Sequence, residues 1–112
     1  MSPPAAKRVW RRFLVAFAHS LYVTWPVLSA ILVIEVALGL LIGFVEGWSV
    51  GDAVYFSFVT GLTIGYGDIV PRQTLTRALA IVIGFGGILL TGLVAGIAVY
   101  AMRAALTDGA RR

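Results

Sequence analysis

The sequence predicts an all-α membrane protein. Two transmembrane helices flank a short re-entrant helix and a glycine-bearing loop, and an amphipathic helix on the membrane surface precedes them. Three observations lead there. First, 60% of the 112 residues are hydrophobic and 12% are charged, against about 25% charged in a soluble domain. Second, the basic residues gather at the ends: Lys7, Arg8, Arg11 and Arg12 precede the first apolar stretch, and Arg103, Arg111 and Arg112 follow the last. Third, the run Thr63-Ile64-Gly65-Tyr66-Gly67-Asp68 sits between two long apolar stretches.

Residues 1–6 are rich in Pro and Ala and are expected to be disordered. Residues 6–22 read as a helix lying on the membrane. Val9, Trp10, Phe13, Phe17 and Leu21 recur at three- and four-residue spacing, with Lys7, Arg8, Arg11 and Arg12 on the other face. Residues 1–23 therefore form a cytoplasmic, interfacial N-terminal segment. No cleavable signal peptide fits, because only a short apolar run separates the basic cluster from His19 and Ser20.

Residues 26–45 are the first transmembrane helix. Twenty residues at ~1.5 Å each span ~30 Å, the thickness of the hydrocarbon layer. Trp25 marks its inner boundary, and Phe44 and Trp48 its outer one, as interfacial anchors do. Pro26 fits an early helical position, where its missing N–H leaves no bond unmade. Glu46-Gly47 ends this helix. Ser49-Val50-Gly51-Asp52 has the spacing of a capping box, with Ser49 as N-cap. The helix it starts runs over 50–61 before the glycines of the loop, about half a membrane in length. Such a half-helix is tolerated at membrane depth only when buried in protein. Its C-terminal end, which carries partial negative charge, faces the loop. Gln73 or Thr74 caps the second transmembrane helix, residues 75–102, which leads into a short cytoplasmic tail over 104–112. Residues 24–103 together make one domain, and no internal repeat is visible.

The loop has a physical logic. A dehydrated K⁺ needs oxygens in place of its water shell, and stacked backbone carbonyls supply them. Aiming successive carbonyls at one axis requires backbone conformations that alternate in hand. Gly65 and Gly67 lack a Cβ and enter the φ > 0 region freely. The Thr63 hydroxyl adds a further ring of oxygens at the inner end. Four copies close the cage, so the run also implies a homotetramer. A Thr-x-Gly-Tyr-Gly run in this setting is similar to a potassium selectivity filter.

The net charge of +4 raises nucleic acid as a partner, but the placement of the charges argues against it. By the positive-inside rule both termini are cytoplasmic and the middle faces outward. The basic N-terminal helix then meets the anionic lipids of the cell membrane. Cysteine is absent, which removes disulfides and thiolate metal sites.

The layout resembles the two-transmembrane-helix pore domain of the tetrameric potassium channels, of prokaryotic type, over roughly residues 24–102. Glu46-Gly47 and Asp52-Ala53-Val54-Tyr55-Phe56-Ser57 also resemble the pore mouth of the bacterial non-selective sodium/potassium channels. Those channels carry an acidic residue where this chain has Tyr66, so Tyr66 and Asp68 match the potassium-selective pattern. The resemblance implies that the carbonyls of Thr63, Ile64, Gly65 and Tyr66 line four stacked K⁺ sites, with Gly67 completing the filter over 63–67. It implies that Tyr55 hydrogen-bonds Asp68 to support the filter, and that Gly87 is the hinge of the inner helix. Counting from Gly87, residues Thr91, Ala95 and Val99 share one face at four-residue spacing and are expected to line the inner pore, with the constriction at 99–102. Three positions depart from the pattern. Leu62 stands where a second Thr is common, Gly61 lowers helix propensity by up to ~1 kcal/mol relative to Ala, and Val59 replaces a carboxylate found in some members.

Glu35 lies mid-membrane, where a charge costs ~2.5–3.5 kcal/mol on insertion scales. It is expected to face protein as a neutral carboxyl, level with residues 87–91 of the second span, with Thr91 or a freed carbonyl as its partner. Gly39-x₃-Gly43 and Gly92-x₃-Gly96 allow close helix packing. Gly84-Phe85-Gly86-Gly87 follows no strand and is no nucleotide loop. His19 reads as a surface residue. No Ser/His/Asp set, carboxylate pair or metal cluster is present in the sequence, so the chain is expected to be no enzyme and to need no cofactor beyond the permeant K⁺. The expected protein is a passive, homotetrameric potassium channel without voltage sensor or regulatory domain. The alternatives are a non-selective cation channel of the same fold, towards which Gly61 and Leu62 point, and a non-conducting channel subunit.

Overall fold

The computed structural model describes residues 2–110. Arg111 and Arg112 of the basic C-terminal group lie outside the described residues. Three helices follow in order: α1 (Pro3–Glu46), α2 (Val50–Gly61) and α3 (Thr74–Ala110). α1 and α3 are both long and apolar enough to cross a membrane.

α1 begins earlier than expected. The Ser2 carbonyl accepts a 2.9 Å bond from Ala6 N–H, and its hydroxyl accepts one of 3.4 Å from Ala5 N–H. Pro3 and Pro4 then occupy the first turn, where a missing N–H leaves no bond unmade. Composition suggests disorder over 1–6, but Ser2-Pro3-Pro4 is a helix start; Met1 lies outside the described residues.

No break separates residues 6–22 from residues 26–45: α1 is one helix through both. Ending a helix requires partners for its last carbonyls, and a Gly or Asn normally supplies the geometry. The segment 18–27 contains neither. Pro26 removes its own N–H donor to the preceding turn, and α1 continues past it.

The end of α1 is well defined. Gly47 has φ +79°, and Trp48 N–H reaches the Gly43 carbonyl at 2.8 Å. This is the long bond of a Schellman cap, which needs a residue free to turn left-handed. α2 keeps the boundaries read from the sequence. Ser49 is its N-cap, and its hydroxyl accepts from Asp52 N–H at 3.1 Å. α3 starts at Thr74, with Gln73 as the residue before it: the Gln73 carbonyl accepts Arg77 N–H at 2.9 Å. α3 continues past residue 102 into the expected tail, where Met102, Arg103, Ala104, Ala105 and Leu106 are all good helix formers.

The described residues fall into two packed units. Leu28–Thr91 holds the end of α1, all of α2 and the start of α3 around a core of Ile42, Phe56 and Ile83, one residue from each helix. Trp48 closes it, edge-on to Phe56 at 5.1 Å. α1 and α2 approach closely because α1 offers glycine. A Cβ at Gly39 would overlap the Ser57 hydroxyl, and one at Gly43 would lie 2.6 Å from the Ala53 Cβ. The Gly39-x₃-Gly43 pair thus receives Ala53 and Ser57, one turn apart on α2, in a small-residue contact of the kind that joins helices in membranes. The second unit draws on the residues before Leu28 and after Thr91. Its α1 portion stacks Trp10 on Phe13 and Phe13 on Phe17 at 5.8 and 5.7 Å. The Gly92-x₃-Gly96 pair, by contrast, has open space where each Cβ would stand.

Candidate functional site

The loop 62–68 leaves α2 directly and is tied back to it through its own amides. Leu62 N–H bonds the Phe58 carbonyl at 2.8 Å, and Thr63 N–H bonds Thr60 at 3.2 Å. Ile64 and Gly65 N–H share the Val59 carbonyl at 2.9 and 3.2 Å. The amides thus satisfy the carbonyls of Phe58, Val59 and Thr60, which a helix end otherwise leaves unpaired. Among the described residues, no donor engages the carbonyls of Thr63, Ile64, Gly65 or Tyr66.

Positive φ recurs at alternate positions: Thr63 at 60°, Gly65 at 60° and Gly67 at 79°. The two glycines were expected to turn this way. Thr63 is the addition, and a β-branched residue at φ > 0 carries strain of about 1–3 kcal/mol. Its hydroxyl donates to the Leu62 carbonyl at 2.6 Å, a local bond that holds the turn. A donating hydroxyl still presents its lone pairs, so Thr63 remains an oxygen donor. The donor set of 63–66 is therefore oxygen throughout, which suits a hard monovalent cation. Residues 62–68 are all exposed in the single chain, Tyr66 to 71%.

Behind the loop, the Tyr55 hydroxyl of α2 donates to the Asp68 carboxylate at 2.9 Å. This bond holds the Tyr55 proton, pushing the phenol above its ordinary range, with desolvation as a lesser cause. Tyr55, Val59, Gly65, Gly67 and Asp68 border a cavity of about 180 Å³ between α2 and the loop.

Glu46 was absent from the expected site. Its Oε1 accepts Arg72 N–H at 2.8 Å, Gln73 N–H at 3.0 Å and the Thr76 hydroxyl. Thr76 is fully buried. An anion at the start of α3 meets free amides and the positive end of the helix dipole. The Thr76 bond first, then the two amides, hold the Glu46 carboxyl below its usual range. The chain from the loop to α3 is thus fastened to the end of α1 on one side and through Asp68 to α2 on the other.

Gly87 is buried, and α3 is unbroken across it. A Cβ there would overlap the carbonyl of Gly61, the last residue of α2. Close backbone approach is thus a sufficient reason for glycine at 87, beside the hinge role that the resemblance implies. Gly61, read as a weakness of α2, has a similar reason: its own Cβ would lie 2.8 Å from Glu35 Oε2. Glu35 is 6% exposed. Its neighbours are Gly61 and Gly86, not Thr91 as expected, so α1 meets α3 about one turn before the expected level. Thr91, Ala95 and Val99 are each exposed.

Comparison with known proteins places these features in a family. The family model described as "Ion channel" matches residues 11–104. Two-pore potassium channel 2 of Arabidopsis thaliana is 42% identical over 78 residues, covering 58% of this chain and 18% of that protein. Two-pore potassium channel 1 of the same plant is 49% identical over 41 residues, 37% of this chain and 11% of that one. Potassium channel subfamily K member 13 of Rattus norvegicus is 61% identical over 28 residues, 25% of this chain and 7% of that one. The chain therefore spans less than a fifth of the length of each of these relatives. No solved structure matches.

Proposed function

This chain belongs to the ion-channel family, and on that premise we propose that four copies assemble around residues 63–67 into a potassium-selective channel of the cell membrane. As a family member it is a channel protein rather than an enzyme. In the proposed assembly α1 and α3 cross the bilayer with both termini in the cytoplasm, and α2 is re-entrant, its C-terminal end directed at the pore axis. The basic residues of early α1 contact anionic lipid.

One observation carries the reading. Residues 63, 65 and 67 have φ > 0 while their amides or neighbours tie back to α2, leaving the carbonyls of 63–66 without internal partners. A single chain gains nothing from four unengaged carbonyls, whereas a ring of four chains turns them into oxygen cages. Dehydrated K⁺ enters these as the transported substrate, and no resident cofactor is needed. Several weak sites in series let each ion leave again. Tyr55 and Asp68 brace the outer end of the filter. Thr91, Ala95 and Val99 line the inner pore, and Gly87 permits α3 to bend above the constriction at 99–102. The potassium-channel relatives support K⁺ as the ion.

The test is stoichiometry and flux on the same preparation. Native mass measurement of the purified chain is expected to give four copies, and liposomes bearing it should release K⁺ much faster than Na⁺. Equal release of both ions would point to a non-selective channel. Tetramers without flux would point to a non-conducting subunit.

A further inference from the structure

Glu35 is the one acidic residue of the unit Leu28–Thr91 that is buried. Its Oε1 is enclosed and has no hydrogen-bond partner. Glycines stand on two sides of the carboxyl. A Cβ at Gly61 would come within 2.8 Å of Oε2, and one at Gly86 within 2.9 Å of Oε1. The carboxyl is thus packed between two backbones, with no room for a side chain on either glycine.

Among the described residues of this unit, no fixed charge lies beside the group. Asp52 on α2 and Arg77 on α3 each lie nine residues from the facing glycine, about 13 Å along their helices. Glu46 is eleven residues along α1, about 16 Å away, and is engaged with the Arg72 and Gln73 amides. Tyr55 and Asp68 bond each other, and Tyr66 is exposed. An ionised carboxylate enclosed in this way carries a charge that proteins avoid by neutralising the group.

We infer that Glu35 is a proton-binding site. The bound proton is the counter-ion that lets α1, the C-terminal end of α2 and α3 close on one another behind the loop 62–68. The coupling to the loop is short. Gly61 faces Glu35 on the side where a Cβ would stand and meets Gly87 with its carbonyl, and Val59, two residues earlier, holds the amides of Ile64 and Gly65. Loss of the proton places a charge against Gly61, unseats the end of α2 and disturbs the loop it anchors. The consequence for ion flow rests on the reading of 63–67 as a filter, whereas the presence of the proton does not.

The experiment uses the full chain in lipid vesicles, as wild type and as Glu35→Gln. Infrared spectra at neutral pH are expected to contain a carboxylic-acid C=O band in wild type that is missing from the variant and fades as pH is raised. K⁺ flux through wild type should fall with the band, approaching about tenfold per pH unit above the midpoint of the titration. Flux through Glu35→Gln should be flat over that range. If Glu35→Gln does not assemble, Glu35→Met, apolar and of similar length, should likewise lack both the band and the pH dependence. A wild-type spectrum without the acid band, or one unchanged by substitution, overturns the proton site. A band that titrates while flux stays constant, or a flux profile that Glu35→Gln shares, overturns its coupling to the loop. A titrating band in vesicles that never pass K⁺ upholds the proton site and instead rejects the channel reading.

Discussion

The Tyr55 hydroxyl donates a 2.9 Å hydrogen bond to the Asp68 carboxylate, joining α2 to the residue that follows Gly67 across a separation of 13 residues. Both partners are exposed in the single chain. The bond fixes one end of a loop whose other end is tied to the Val59 carbonyl.

Tyr55→Phe removes that bond and keeps the ring. Tetramers should still form, and current should decline several-fold faster during sustained activity. The bond also sets a pH dependence. Because the folded phenol is raised above its ordinary value, the stabilisation is fully present below the usual tyrosine range and is lost as pH rises through the folded value. Wild-type current should therefore weaken in strongly alkaline medium in a step that Tyr55→Phe lacks. Patch-clamp recordings of both forms against outer pH decide it, and identical profiles would remove Tyr55 from the role of brace.

Glu46 gives the opposite sign. Its folded carboxyl is depressed by Thr76 and by the amides of Gln73 and Arg72. Its stabilisation is present above the ordinary glutamate range and is lost as pH falls through the depressed value. Thermal dissociation of the assembled protein should thus become easier in acid. Glu46→Gln should be less heat-stable than wild type at neutral pH and should show no acid step of its own. Thr76→Val, which removes the hydroxyl bond to Glu46, should lie between the two. Equal melting of all three forms at neutral pH would contradict the assignment.

Gly87→Ala tests the crossing of α3 with the end of α2. The new Cβ would strike the Gly61 carbonyl, which is backbone and gives way poorly. Overpacking of this kind costs about 1–3 kcal/mol, occasionally more. Gly84→Ala meets open space on the same helix, and Ala there improves helix propensity by up to ~1 kcal/mol. Thermal stability of the assembled variants should fall for position 87 and hold or rise for position 84. The reverse order would show that the hinge role, not packing, explains Gly87.

The inner pore is tested by labelling. Thr91→Cys, Ala95→Cys and Val99→Cys, each in this cysteine-free chain, should react with charged thiol reagents from the cytoplasmic side and lose current. Reaction only with lipid-soluble reagents would reject that face as the pore lining.

Some of this architecture was legible because the signals are local. Ser49 and Gly47 bracket the start of α2, and the glycines of the loop end it, so 50–61 could be read residue for residue. Gly65 and Gly67 announced φ > 0 because no other residue type takes it freely. Ser2-Pro3-Pro4 is equally local, a capping serine before two prolines that suit a first turn. What escaped was tertiary. Glu46 finds Thr76 across 30 residues, with no spacing rule to link them. Gly61, Gly86 and Gly87 looked like flexibility in a helical sequence. They are places where Glu35 and a backbone carbonyl come too close for any side chain. Thr63 at φ 60° contradicts its own propensity and appears only once the amides of 62–65 are seen to turn back onto α2.

The central claim is that the carbonyls of 63–66 select K⁺. The direct measurement is the reversal potential of the purified chain alone in a planar bilayer, with Na⁺ replacing K⁺ on one side. With a roughly tenfold K⁺ gradient balanced by Na⁺, the account predicts reversal close to the K⁺ equilibrium potential, about 59 mV from zero. Tyr66→Asp, which adds a ring of carboxylates at the outer filter, should move that value toward zero. A wild-type reversal near zero, unchanged by Tyr66→Asp, would contradict the claim.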